Sequence, residues 1–123
     1  MIASAAERLL ARASDGQNVS RVVLSLIRQK MSEGDFGLDA MSEHLGMSRR
    51  TLQRRLRQES CSHRELVQQA RQAFSRFLLL STDVTTVEAA YALGFSEPTA
   101  FYHAFQEWFG TSPQEYRRRG SIQ

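Results

Sequence analysis

The chain has 123 residues and a hydrophobic fraction of 41%, so it suits one domain or two very small ones that share a core. Its formal charge of +3 and isoelectric point near 9.6 permit a nucleic-acid partner without requiring one. A single cysteine excludes an internal disulfide and fits a reducing cytoplasm, and the sequence pattern supports neither a membrane span nor a signal peptide. Valine and isoleucine follow helical rather than alternating spacing, which predicts an all-α fold of about seven helices.

The N-terminal stretch, residues 1–18, is rich in alanine and ends in turn formers. Its apolar residues share one helical face, which predicts a short helix over residues 1–14; they are Ile2, Ala6, Leu9, Leu10 and Ala13. Two interpretations remain open. The stretch is either the tail or linker of a preceding domain or a partly ordered terminus.

The first lobe is predicted over residues 19–61. An apolar stripe indicates a helix from Val19 to Met31. A short helix is then expected from Leu38 to Leu45, followed by a glycine turn, and Ser48 is a good N-cap for a third helix from Arg49 to about Glu59. Two short helices around a glycine turn are the helix-turn-helix pattern.

A connector is predicted over residues 62–81. Its helix, from Ser62 to about Leu80, would be about 28 Å long at about 1.5 Å per residue, enough to separate the two lobes by nearly one turn of B-DNA, about 34 Å. Its apolar positions are expected to face the core; they are Leu66, Ala70, Ala73, Phe74, Phe77 and Leu78. The second lobe is predicted over residues 82–119, and a capping box from Thr85 to Glu88 starts its repeat. The helical spacing of Phe101, Phe105, Trp108 and Phe109 indicates core, and Trp108 is expected to pack between this motif and the last helix.

The two lobes contain an internal repeat. Leu45-Gly46-Met47-Ser48 returns as Leu93-Gly94-Phe95-Ser96, 48 residues later, and the capping box that starts at Ser62 returns 50 residues later at Ser112. The second copy, with Gly110, Pro113 and Tyr116-Arg117 following it, resembles the second helix-turn-helix of the AraC/XylS family of bacterial transcription regulators. The resemblance covers about residues 19–119.

The resemblance implies two helix-turn-helix subdomains, homeodomain-like lobes joined by a long helix, that insert their reading helices into successive major-groove segments of promoter DNA. It also implies a transcriptional activator that contacts RNA polymerase, in the bacterial cytoplasm and on the nucleoid when bound. The domain itself is expected to be monomeric, or dimeric through an upstream domain. The chain departs from the family at several positions: Ser60 stands where glycine is usual, which predicts a left-handed backbone there, and His103 stands where arginine is frequent. Two smaller departures are Ser42 in place of alanine and His63 in place of an aromatic residue.

The helix after Ser48 carries the clearest functional pattern, because its leucines point inward and five arginines crowd the rest of it. The outer face is expected to read bases through Arg50, Gln53, Arg54 and Arg57, since arginine is the best bidentate partner for guanine. The residues at its N-terminal end are expected to bind phosphate; they are Ser48, Arg49 and Thr51. The alternative is a solvated helix face, which usually mixes acids and bases.

The second reading helix is not basic. Its candidate base-reading residues are Thr99, Tyr102 and His103, and its candidate phosphate-binding residues are Ser96 and Gln106. Three interpretations stay open: this helix reads bases, it mainly binds the DNA backbone, or it is an ordinary surface helix.

Other functional classes have little support in the sequence. No residues fall in a catalytic motif, no glycine loop cradles phosphate, and Cys61 and His63 lack a second close ligand pair, so we expect neither an enzyme, a cofactor nor a metal site. The alternative function is a protein-interaction module that keeps the helix-turn-helix fold without binding DNA specifically.

Overall fold

The computed structural model describes residues 18–120, and the regular structure in them is entirely helical. The helix predicted over residues 1–14 lies outside the described residues. The elements are α1 Val19–Lys30, a 3-10 turn Met31–Glu33, α2 Leu38–Leu45, α3 Arg49–Gln58, α4 His63–Ser81, α5 Thr86–Ala92, α6 Pro98–Phe109 and α7 Pro113–Gly120. The all-α prediction is confirmed, and the predicted bounds of α1 to α4 differ from the observed ones by at most one residue.

The chain forms two compact units that meet between Ala70 and Arg71. The boundary lies inside α4, so the first residues of this helix belong to the first unit and the last to the second. The predicted subdivision, with a separate connector over residues 62–81, stays a prediction.

In the first unit, α1 packs against α2 and α3. The apolar stripe of α1 is buried as predicted, at Val19, Val22, Val23, Leu26 and Ile27. The two shorter helices bury Met41, Leu45, Leu52 and Leu56 against it. Because the leucines of α3 occupy the core, its arginine-bearing face is left to solvent.

The start of α1 is capped by a residue from a distant part of the chain. Asn18 has φ 67° and makes no side-chain cap. Instead, Glu59 at the end of α3 accepts hydrogen bonds from the amide of Val19 at 2.8 Å, the amide of Ser20 at 3.1 Å and the hydroxyl of Ser20 at 2.7 Å. This carboxylate satisfies amides that have no partner within the helix and complements the positive end of the helix dipole.

The connector helix α4 corrects one prediction. Its buried residues are Leu66, Val67, Ala70, Ser75, Leu78 and Leu79. The prediction that Ala73 and Phe77 face the core is wrong, because both are exposed and Phe77 keeps 55% of its surface in solvent. The prediction assumed one apolar stripe along the whole helix, whereas α4 contributes to the cores of two separate units.

The second unit is built around the aromatic residues of α6. Phe101 and Phe105 are fully buried, together with Ala89 and Ala90 of α5 and Leu93, which follows that helix. Tyr116 of α7 packs on Phe105 and Phe109, with ring centroids 5.3 Å and 5.5 Å away. The predicted core character is confirmed for Phe101 and Phe105, whereas Phe109 is half-buried.

Trp108 is less enclosed than the central rings of α6. The indole is half-buried, and its ring neighbours are Phe95 at 6.5 Å and Phe109 at 6.3 Å between centroids. Tyr116 carries the ring contacts of α7 with α6, and packing of Trp108 against this last helix stays a prediction. Spacing alone identified the aromatic side of α6 but not which ring lies at its centre.

Helix ends follow the predicted caps, with one difference. Thr85 and Glu88 form a complete capping box. The hydroxyls of Ser62 and Ser112 accept from the amides three residues on, at 3.2 Å and 3.1 Å. In these two boxes the glutamate side chain has other partners. Glu65 accepts from the Ser62 hydroxyl, and Glu115 accepts from Arg118 and Arg119. Ser60 has φ 61°, which confirms the predicted left-handed end of α3.

Candidate nucleic-acid interface

The outer face of α3 is cationic and open to solvent. Arg50, Gln53, Arg54 and Arg57 are all exposed, while Leu52 and Leu56 opposite them have 0% and 1% of their surface accessible. Within residues 18–120 none of the three arginines forms an ion pair. The structure therefore brings all four predicted base-reading residues of the first motif together on one exposed face, and no carboxylate in the described part of the chain pairs with its arginines.

The N-terminal end of α3 carries the three candidate phosphate-binding residues. The Ser48 hydroxyl accepts from the Thr51 amide at 3.1 Å, as expected of an N-cap, and donates to the Thr51 hydroxyl at 3.0 Å. Arg49 is exposed, and its Nε lies 3.1 Å from a carboxylate oxygen of Asp39 on α2. A phosphate bound here would compete with Asp39 for the guanidinium. This ion pair could not be predicted from the sequence because its members lie on different helices.

The second face, on α6, is polar rather than cationic. Thr99, His103 and Gln106 are exposed along it, and Ser96 is exposed just before the helix begins. Tyr102 differs from them. It is half-buried, its ring lies 5.9 Å from that of Phe101, and its hydroxyl is 3.2 Å from the Thr86 hydroxyl of α5. Its role in reading bases stays a prediction, now with a hydroxyl already engaged inside the unit.

The turn between α5 and α6 is bound by an arginine that the sequence analysis did not single out. Arg71 of α4 donates from Nε to the carbonyl of Leu93 at 2.9 Å and from Nη2 to that of Gly94 at 3.1 Å. Its Cζ lies 3.9 Å from the centroid of the Phe95 ring. Burial lowers the pKa of Arg71 from its usual value. The signal in the sequence that could have indicated this role is that Arg71 stands among the apolar positions of this stretch of α4.

Arg117 is a second arginine that binds backbone carbonyls. It donates to the carbonyls of Leu79 at 3.0 Å, Leu78 at 3.2 Å and Thr82 at 3.5 Å, which caps the end of α4. Because its guanidinium binds these backbone carbonyls, Arg117 stabilises the fold of the second unit.

Cys61 and His63 follow the end of α3 and show no metal-binding geometry. His63 Nε2 lies 2.7 Å from the carbonyl oxygen of Phe36. Burial, and then the nearby charges of Glu59 and Glu65, raise the pKa of the Cys61 thiol. Within residues 18–120, no group of three or more His, Cys, Asp or Glu side chains is placed to share a metal ion.

Comparison with known proteins identifies the family. Residues 41–119, which include both reading helices, match the model of a helix-turn-helix domain family. The crystal structure of an AraC-type transcriptional regulator from Chromobacterium violaceum has the same fold, with a TM-score of 0.72 and 24% identity over 89% of this chain and 96% of that one. The chain belongs to the AraC/XylS family. It corresponds to the C-terminal DNA-binding domain of these regulators, as its repeat suggested.

Two curated relatives of the chain are longer than it is. An uncharacterised HTH-type transcriptional regulator of Mycobacterium tuberculosis is 39% identical over 105 residues, which cover 81% of this chain and 30% of that protein. The transcriptional activator NphR of a Rhodococcus species is 32% identical over 109 residues, covering 89% of this chain and 31% of NphR. The chain thus spans about 30% of the length of these two relatives.

One solved AraC-type neighbour contains DNA. The DNA-binding domain of AdpA, a global transcriptional factor, in complex with a target DNA, superimposes with a TM-score of 0.70 and 27% identity over 81% of this chain and 90% of that one. None of α1 to α7 combines the length and apolar character that a bilayer span requires.

Proposed function

We propose that the protein is a bacterial transcription regulator, an activator, that binds promoter DNA sequence-specifically through α3 and α6. The exposed arginine face of α3 carries this proposal. Like charges one turn apart, such as Arg50 and Arg54, destabilise a helix by about 0.2–0.5 kcal/mol. A polyanion along this face would remove that cost, and the face lies on the helix that enters the major groove in this family.

Contacts on α3 divide by chemistry. Arg50, Arg54 and Arg57 can each bind guanine O6 and N7 in the major groove, and Gln53 suits adenine. Ser48, Arg49 and Thr51, at the N-terminal end, would bind phosphate and fix the register without carrying sequence information. Arg49 would exchange Asp39 for a phosphate oxygen, which keeps its charge paired in both states.

The second helix, α6, is assigned a neighbouring segment of the same groove. Thr99, Tyr102 and His103 would read bases there, and Ser96 and Gln106 would contact phosphate. Polar but largely uncharged side chains can supply hydrogen bonds to base edges, although they add little to non-specific attraction. The second unit would then contribute specificity more than affinity.

The remaining assignments concern the whole protein. Activation rests on the family and on the name of the relative NphR, and contact with RNA polymerase rests on the resemblance alone. The domain would bind as a monomer, with any dimer formed through other parts of a longer protein. We assign it no enzymatic activity and no cofactor, and we place it in the cytoplasm, on the nucleoid when bound.

Selection of bound duplexes from a random DNA pool tests the proposal. At moderate salt we expect two enriched boxes whose centres lie about 10 base pairs apart, one for each reading helix. A single box would restrict base reading to α3. No enrichment at all would contradict sequence-specific binding.

The rival function, a protein-interaction module, predicts a different response to salt. DNA binding falls steeply as salt increases because condensed counterions are released from the duplex, whereas an apolar protein interface responds weakly. A duplex affinity that is unchanged between about 50 and 200 mM salt would favour the rival.

A further inference from the structure

The turn between α5 and α6 determines where the second reading helix points. Gly94 has φ 81°, and the amides of Gly94 and Phe95 return to the carbonyls of Tyr91 at 3.0 Å and Ala90 at 3.1 Å. These two hydrogen bonds terminate α5 but leave the carbonyls of Leu93 and Gly94 pointing away from the helix. Arg71 donates to both of these carbonyls.

The first unit solves the same problem without an arginine. Its turn has the same form, with φ 65° at Gly46 and amides that return to Glu43 and Ser42. The residue that lies as far before Leu45 as Arg71 lies before Leu93 is Val23, which is fully buried and has no side-chain donor. At the corresponding position the second copy of the repeat carries Arg71, whose guanidinium is directed at the turn.

We propose that Arg71 is a positioning residue for DNA recognition by α6. Its two hydrogen bonds, made from one planar group, fix two consecutive peptide units of the turn, and its stacking on Phe95 fixes the residue that follows. A planar fork limits rotation as well as distance, which a single bond from an ammonium cannot do. The direction of α6, and with it that of Thr99, His103 and Gln106, depends on this turn. The inference rests on base reading by the second unit, as proposed above.

The test compares Arg71→Met and Arg71→Lys with wild type in the random-duplex selection. Arg71→Met keeps the stem and resembles the apolar solution of the first unit, while Arg71→Lys keeps the charge but loses the fork. Arg76→Met is the matched control, because Arg76 is an exposed arginine of the same helix in the same unit and lies against the Phe109 ring, with its Cζ 5.6 Å from the centroid.

We expect Arg71→Met to lose about tenfold or more of the enrichment at the box read by α6, since a single displaced base contact changes discrimination by about that factor. The box read by α3 should keep its wild-type enrichment. Amide hydrogen exchange at Gly94, Phe95 and Ser96 should accelerate in the same variant. Arg71→Lys should be intermediate, and Arg76→Met should match wild type in both boxes.

Three results would overturn the proposal. Two boxes of unchanged enrichment in Arg71→Met would show that the fork does not position α6. Equal loss of enrichment at both boxes, together with a lower melting temperature, would show that Arg71 only stabilises the fold. If Arg71→Met does not fold, wild-type enrichment of both boxes by Arg71→Lys would show instead that the fork does not position α6. A wild-type chain that enriches one box removes base reading by α6 itself, so failure of the proposed function is seen without any variant.

Discussion

Arginine serves two purposes in this chain, and burial separates them. Arg50, Arg54 and Arg57 are exposed, whereas Arg71 and Arg117 are half-buried and donate to backbone carbonyls. The exposed group could be predicted from sequence, because helical spacing from Leu52 and Leu56 fixes which side faces outward. The buried pair could not, since their acceptors lie 22 residues or more away along the chain.

Substitution of arginines on α3 should separate base readout from phosphate binding. Arg54→Ala is expected to cost about 1–3 kcal/mol of binding free energy on the selected duplex and much less on a scrambled one, because a bidentate guanine contact is lost. Arg49→Ala should weaken both duplexes alike. Titration of both duplexes by fluorescence anisotropy measures this, and equal losses for the two variants on the two duplexes would reassign Arg54 to phosphate.

Gly46 offers a test of backbone strain without steric interference. Its φ is 65°, and no atom lies within 4 Å of the position a Cβ would take. Gly46→Ala should therefore destabilise the protein by about 1 kcal/mol, the cost of a left-handed conformation for a residue with a side chain. Gly37→Ala, where φ is −69° and a Cβ also meets nothing, is the control and should change stability by less than about 0.5 kcal/mol in urea denaturation.

At the scale of helices, the sequence predicts where helices end better than it predicts how they pack against each other. Caps are local, so Ser48, Thr85 and Pro113 could be placed by their immediate neighbours alone. Contacts between helices depend on the rest of the fold, which explains why helical spacing places Phe77 in the core although it is exposed. The cap on α1 belongs to this second kind, because Glu59 comes from another helix end.

Removal of the Glu59 carboxylate should loosen α1 from the end of α3. Glu59→Ala leaves the amides of Val19 and Ser20 without their acceptor and should destabilise the first unit by about 1–2 kcal/mol, the usual value of an N-cap. Glu59→Gln keeps one acceptor oxygen and should lose less. Thermal unfolding followed by circular dichroism measures the difference; equal melting temperatures for Glu59→Ala and wild type would show that water replaces the carboxylate.

The last helix should respond to acid at an unusually low pH. The hydrogen bond from Arg118, with further help from Arg119, lowers the pKa of Glu115 to about 2. Because the folded state binds this proton more weakly than the unfolded state, the contribution of Glu115 is complete above about pH 4.5 and is lost as the pH falls through about 2. Titration of its side-chain carboxyl by NMR should show this midpoint. In Arg118→Gln it should rise, and an unshifted midpoint there would exclude Arg118 as the cause.

For the whole molecule, the distribution of charge matters more than its sum. The net charge is only +3, yet α3 alone contributes five arginines and no acid. The three arginines of α7 sit beside Glu115 or bind carbonyls. Attraction to DNA should therefore come mainly from the first unit. The composition of the chain is compatible with this conclusion but does not require it. The pattern of burial along α3, which leaves most of its arginines exposed, provides the additional support.

Salt dependence of DNA binding should locate the attracting charges. Arg57→Gln is expected to reduce the slope of log affinity against log salt by up to about 1, because fewer counterions are released. Arg118→Gln removes the same charge from a residue paired with Glu115 and should leave the slope near the wild-type value. Equal reductions in both variants would mean that the protein acts through its total charge.

The environment of Cys61 has a practical consequence for handling the protein. Air oxidation and alkylation both proceed through the thiolate, and burial together with two neighbouring carboxylates disfavours that form here. This is the only cysteine in the sequence. Purified samples should accordingly resist covalent dimerisation during storage without added reductant, and maleimide dyes should label them slowly at neutral pH.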